Sequence, residues 1–104
     1  MLRIYAVILD TIRHVRPTIE KIERRDSDLG RQMRRAAASV ALNTSEAMYS
    51  RLGNKKVRYH SALGSARETL ACIETGAALG YVDEPDAEIQ SRFNAIIGTL
   101  AKLV

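Results

Sequence analysis

Residues 26–50 read DSDLGRQMRRAAASVALNTSEAMYS. Leu29, Met33, Ala36, Val40, Asn43 and Ala47 recur at alternating steps of three and four, the spacing that aligns one face of a helix. Ahead of this stripe stand Asp26, Ser27 and Asp28. Any of them can accept hydrogen bonds from the free N–H groups of a first turn, and their carboxylates suit the positive end of the helix dipole. The pattern continues to Ser50, and Gly53 with Asn54 supplies a turn beyond it. A helix over about 28–50 follows, and its small inward residues imply close approach to a partner helix.

The same spacing governs the segments on either side. Tyr5, Ile8, Ile12, Val15, Ile19 and Ile22 give a first helix over about 2–24. Pro17 lies inside it, removing one backbone donor and crowding the carbonyl of Arg13, which predicts a kink because the stripe stays in register beyond it. A third helix over about 54–79 carries Tyr59, Leu63, Ala66, Leu70, Ile73 and Ala77 and closes at Gly80. Gly64 and Ser65 within it cost helix propensity, which argues for a tight crossing. A fourth helix over about 85–104 opens at Pro85 behind Asp83 and Glu84 and carries Ile89, Phe93, Ile96, Leu100 and Leu103. Helices of matched length joined by links of a few residues must be antiparallel neighbours. The expected fold is all-α: one domain over 1–104, an up-down-up-down four-helix bundle with left-handed knobs-into-holes packing.

Composition agrees. The chain has 104 residues, 46% hydrophobic and 27% charged, which suits one packed domain. Aromatics are 5% with no Trp, which disfavours a barrel or sandwich of short aromatic-rich strands. No apolar run approaches the ~18 residues of a membrane span, and Met1 to Asp10 lacks the order of a signal peptide, so no membrane role and a cytoplasmic location are expected. The single cysteine, Cys72, cannot pair within the chain, and with His14 and His60 it makes no metal cluster. We find no Glu-x-x-His pair, no glycine-rich phosphate loop and no nucleophile beside a base, so neither a cofactor nor an enzymatic activity is expected.

Charge is the informative deviation. Residues 1–60 hold 13 basic and 6 acidic side chains, whereas residues 61–104 hold 3 and 6, and the whole chain carries +4. Arg24, Arg25, Arg31, Arg34 and Arg35 form a dense cationic end whose guanidinium forks match phosphate oxygens. The competing reading pairs Arg34 or Arg35 with Glu68 or Glu74 of the third helix. A second group, Arg51, Lys55, Lys56 and Arg58, lies at the other end of the bundle with Tyr49, Tyr59 and His60 interleaved, and aromatics among cations can stack bases. Tyr59 is on the core stripe, which leaves Tyr49 as the available stacker.

Two further patterns concern the second helix. Asn43 interrupts its core stripe, with Ser39 one turn before and Glu46 one turn after, a polar ridge suited to a hydrogen-bond network that fixes helix register. Ala38, Leu42, Ser45 and Tyr49 form a separate stripe on the side away from the core. Small and apolar residues there predict contact with another subunit, or with a different protein.

The stretch Gln32-Met33-Arg34-Arg35-Ala36-Ala37-Ala38-Ser39-Val40-Ala41-Leu42-Asn43-Thr44-Ser45-Glu46 resembles the hallmark of the bacterial four-helix-bundle family, also called the 23S ribosomal RNA intervening-sequence protein family. Tyr59, the run Gly64-Ser65-Ala66-Arg67-Glu68 and then Gly80-Tyr81-Val82 resemble its second motif. Gln32, Arg34, Arg35, Ser39, Asn43, Glu46, Ser65 and Glu68 carry the resemblance, and most are expected in a buried polar network. The family pattern continues from its Asn with an aliphatic residue, Ala, Glu and Gly, where this chain has Thr44, Ser45, Glu46 and Ala47. Ala in place of that Gly permits a straighter helix end. The resemblance implies a homopentamer of antiparallel bundles. It also implies similarity to the accessory variability proteins of diversity-generating retroelements, basic pentamers that bind nucleic acid and assist a reverse transcriptase.

Two functions are therefore expected from these residues. In the first, a non-enzymatic oligomer binds RNA or DNA through phosphates, using Arg24, Arg25, Arg31, Arg51, Lys55, Lys56, Arg58 and Tyr49, as an accessory to a nucleic-acid process. In the second, the chain is a protein-interaction scaffold whose charge serves assembly or a protein partner.

Overall fold

Capping chemistry sets where the helices begin and end. The computed structural model describes residues 3–104 and, among them, four α-helices: α1 (Arg3–Arg25), α2 (Ser27–Met48), α3 (Leu52–Ala78) and α4 (Ala87–Lys102). Leu2, expected at the head of the first helix, lies outside the described residues. Of the three candidate caps before α2, Asp26 is used, its Oδ1 accepting from the Leu29 N–H at 3.0 Å. Two starts differ from the sequence reading. α3 begins at Leu52, so Gly53 and Asn54 lie in its first turn, and the reversal is made instead by the segment from Tyr49, the α2 cap, to Arg51. α4 begins at Ala87, two residues after Pro85, because the Asp86 carboxylate accepts from the Ile89 N–H at 2.9 Å and fixes the first turn there.

α3 ends as expected at Gly80, whose φ of 82° only glycine adopts at little cost. The Gly80 N–H reaches the Ala77 carbonyl and the Tyr81 N–H reaches the Gly76 carbonyl, the paired bonds of a Schellman motif. The Tyr81 hydroxyl then donates to Asp26 Oδ2 at 3.2 Å. One carboxylate thus caps α2 and ties the α1–α2 turn to the α3–α4 turn. α1 runs through Pro17 as one helix.

The core forms two layers along a body of 42 × 26 × 18 Å. Ile4, Ile8, Val40, Tyr59, Leu63, Ile96 and Leu100 build one, and Val15, Ile19, Ile22, Met33, Ile73 and Phe93 the other, with Ile12 and Ile97 against both. On α1 the buried line is Ile4, Ile8, Thr11, Val15, Ile19 and Ile22, while Tyr5 and Ile12 are half-buried. A turn of 3.6 residues drifts against a strict heptad, and Thr11 can replace Ile12 inside because its hydroxyl donates to the Val7 carbonyl at 2.8 Å.

Helices consecutive in sequence are neighbours, and α1 also meets α4. Across the α2–α3 seam Gln32 meets Glu68, Ser39 meets Ser65 and Glu46 meets Arg58, in opposite order along the two helices. The expected tight crossing at Gly64 is absent: a Cβ there would have nothing within 4 Å. The close approach lies at Gly30, where a Cβ would stand 2.7 Å from the Glu23 Cα, and at Gly76, where it would stand 3.0 Å from the Ile22 Cδ1. Because Gly30 lets α1 come so near, Arg34, one turn on, meets Glu23 of α1 through two hydrogen bonds of 2.8 Å, not Glu68 or Glu74. Hydrogen bonding to Arg34 holds the Glu23 carboxyl below its ordinary range and raises the Arg34 guanidinium in turn.

Gly30→Ala is expected to destabilise the chain by about 1–3 kcal/mol, since the added methyl meets α1 backbone. Gly64→Ala is expected to gain about 0.5–1 kcal/mol, since it adds helix propensity in open space. Thermal unfolding of both variants checks the pair of signs. The depressed Glu23 pKa makes its ion pair a stabilising feature above the carboxylate range, lost as pH falls through that range. The urea midpoint of the native chain is expected to fall on acidification, and Arg34→Met is expected to remove part of that slope.

Candidate nucleic-acid interface

Two clusters of cations stand at opposite ends of the bundle, and ion pairing separates their members. At the α1–α2 end Arg34 is taken by Glu23, Arg31 lies 3.5 Å from Asp28, and Arg25 reaches the Gly80 carbonyl at 3.5 Å. Arg24 and Arg35 are exposed and make no ion pair among the described residues. At the α2–α3 end Arg58 is paired with Glu46 at 3.0 Å. Arg51, Lys55 and Lys56 have no carboxylate partner among the described residues.

These three cations surround the start of α3, whose first turn holds no acidic residue and receives no side-chain cap from Arg51. The positive end of a 27-residue helix dipole therefore adds to their charge. Tyr49, the α2 cap, is 85% exposed beside them. Tyr59 differs: it is 2% exposed, a core residue, and burial pushes its hydroxyl pKa up. His60 is exposed on the following residue.

Of the residues expected as a buried network, Gln32, Ser39, Asn43, Glu46, Ser65 and Glu68 lie on the α2–α3 seam, half-buried or exposed, whereas Arg34 faces α1. Asn43 donates to the Ser39 carbonyl at 3.0 Å and to Ser39 Oγ at 2.9 Å, and Ser65 donates to Ser39 Oγ at 2.8 Å. Gln32 donates to Glu68 at 3.4 Å, and Arg35 has no partner there. The network is not buried because Asn43 sits toward α3 at the edge of the stripe, and Thr44 takes the core position with 0% exposure. Its Oγ1 makes no hydrogen bond to any described residue. α2 continues helically through Ala47, itself fully buried.

On α2, Ala38, Leu42 and Tyr49 are exposed and Ser45 is half-buried. Sequence reading missed that the patch continues across the turn, where Leu52 is 83% and Val57 is 62% exposed. The signal was available, since Val57 lies two residues before the core residue Tyr59, about half a turn round the helix from it. Cys72 is 3% exposed, and burial, with Glu68 nearby, raises its thiol pKa, which suppresses thiolate chemistry. Among the described residues no three His, Cys, Asp or Glu side chains are grouped to hold a metal, and no helix is long and apolar enough to cross a membrane.

Thr44→Val is expected to stabilise the chain by about 1 kcal/mol, since it keeps the shape and removes a hydroxyl desolvated without a partner. Chemical denaturation of the variant against the native chain measures the change.

Comparison with curated proteins and with solved structures returned no match. The family model for the 23S rRNA-intervening sequence protein matches residues 2–102, a span that takes in all four helices. With the four-helix architecture and the motif residues on α2 and α3 in place, the chain belongs to the 23S rRNA-intervening sequence protein family.

Proposed function

We propose that this chain is a non-enzymatic, homo-oligomeric nucleic-acid-binding accessory protein, built as an antiparallel up-down-up-down bundle with left-handed packing. The observation that carries the binding role is the set of Arg51, Lys55 and Lys56, free of carboxylates and joined by the exposed Tyr49 at one end of the bundle. Free cations engage phosphate oxygens, and an exposed phenol ring offers a face on which an unpaired base can stack. Arg24 and Arg35, with Arg31 shared with Asp28, provide a second cationic end about a helix length away. Arg58, held by Glu46, contributes less than the sequence suggests.

The reverse contact order on the α2–α3 seam supports the antiparallel arrangement. The resemblance to accessory variability proteins supports a pentamer that assists a reverse transcriptase in the cytoplasm. A second reading, a scaffold for protein partners without nucleic acid, is favoured by the exposed Leu42, Leu52 and Val57.

Nuclease-treated protein titrated with labelled RNA and DNA across a salt series tests both. Under the first reading, binding weakens steeply with salt, and changing Arg51, Lys55 and Lys56 together to Ala lowers the log–log slope by roughly 2, since each phosphate contact contributes about 0.7–0.9. Tyr49→Ala is expected to cost about 1–3 kcal/mol on unpaired strands and little on duplexes. Absence of binding by the folded native chain at low salt selects the scaffold.

A further inference from the structure

Acidic residues are missing from a long stretch of the α2–α3 pair. Leu29 to Ser45 on α2 and Arg51 to Arg67 on α3 contain no Asp or Glu. The two carboxylates that border these runs on the seam are engaged, Glu46 by Arg58 at 3.0 Å and Glu68 by the Gln32 amide at 3.4 Å. The α3 run alone, at the rise of a helix, extends for about 24 Å and carries no negative charge of its own.

Nitrogen donors mark that stretch from end to end. Lys56, His60, Gly64 and Arg67 follow at steps of four, four and three, which puts them on one side of α3, and all four are exposed. Neither Lys56 nor His60 nor Arg67 is in an ion pair among the described residues. Gly64 sits between them with nothing within 4 Å of where a Cβ would stand, so the helix backbone there is open to close approach. The row then passes to α2. Gln32 meets Glu68 and Ser39 meets Ser65, so Arg35, between the two α2 residues, is level with Arg67, between the two α3 residues. Arg35 is exposed and makes no ion pair among the described residues. The two cationic ends of the bundle are thus joined along α3.

That row is single. The outward line of α2 after Arg35 reads Ala38, Leu42 and Ser45, and that of α4 reads Ser91, Asn94, Gly98 and Ala101, none of them charged. A duplex presents two lines of phosphate across a groove at least about 6 Å wide, and a matching protein surface carries a second row of cations beside the first. One unpaired strand needs only one row.

We infer that one unpaired strand of RNA or DNA lies along the bundle in a single track, from the Tyr49 tip past Lys56, His60 and Arg67 to Arg35, so that the two cationic ends are one site and not two. This rests on the nucleic-acid-binding reading proposed above and names the form of nucleic acid and its path. Phosphates meet the donors of the row, the strand comes nearest the protein backbone at Gly64, and a base stacks on Tyr49 where the track begins.

Titration of labelled oligouridylate and oligothymidylate, each at about 4 and about 16 nucleotides, tests the track, since these lengths bracket the usual single-strand sites. Binding of either sugar type satisfies it, because the row meets phosphates. The variants are Arg67→Ala, Gly64→Glu and, as a control of equal charge on α4, Gly98→Glu. A Cβ at either glycine meets nothing within 4 Å, so both chains should fold, which circular dichroism verifies. The native chain is expected to take one long strand per chain, with a steeper salt slope than for the short strand. Arg67→Ala is expected to lower the long-strand slope by about 0.7, the share of one phosphate, and to leave the short strand at the Tyr49 tip unchanged. Gly64→Glu is expected to weaken the long strand severalfold, and Gly98→Glu to leave it as in the native chain. Two long strands per chain, equal slopes for the two lengths, a duplex held as tightly as the long strand, or Gly64→Glu behaving as Gly98→Glu overturns the track while nucleic-acid binding stands. A native chain that binds neither length at low salt overturns both.

Discussion

The α2–α3 seam is the constraint on which the rest of the molecule depends. Ala36, Val40 and Ala47 on one helix and Ala62 and Ala66 on the other bury side chains short enough for the two axes to lie close. A pair of hydroxyls, Ser39 and Ser65, meets at the edge of the contact where larger groups would hold the helices apart. Alanine also has the highest helix propensity, so the residues that permit the approach also stiffen both partners. With α2 and α3 fixed as a slab, the long aliphatic side chains of α1 and α4 supply most of the remaining core volume from the other side.

The slab also decides what is left outside. A helix whose inward face is filled by alanine buries little apolar surface per turn, and α2 and α3 keep further small and apolar residues on their outward faces. Leu42 and Val57 are exposed because each lies about half a turn round its helix from the buried line, while Arg and Lys collect at the two ends. Patch and charge are therefore consequences of one packing solution. A protein with larger side chains along this seam would bury more within one chain and have less to offer a partner.

Much of this was legible in the sequence. The four stripes, the Gly80 stop and the burial of Tyr59 follow from periodicity and backbone chemistry alone, and the family model covering residues 2–102 agrees with the motif residues on α2 and α3. What was not legible depended on rotation by less than one residue. Thr11 and not Ile12 is fully buried, because its hydroxyl is satisfied on the Val7 carbonyl, and Thr44 and not Asn43, because the Asn43 amide is drawn to Ser39 at the edge of the seam. Gly64 and Gly30 look alike in sequence, and only the path of α1 makes one a close approach and the other open surface. The same path gives Arg34 to Glu23, a partner that no spacing within α2 and α3 could indicate.

The seam between α1 and α4 has a meaning for how the chain comes together. Consecutive helices meet across short loops, whereas His14 and Glu88 meet only after most of the chain has been gathered between them. Closing so long a loop carries the largest entropic cost among the helix contacts, and beside the packed Ile4, Ile8, Ile96 and Leu100 the seam keeps an open groove. Loop-closure cost alone makes it the interface expected to form last and to part first in a sub-global opening. The α1–α4 wall is thus the part of the fold that leans most on the other helix contacts being in place.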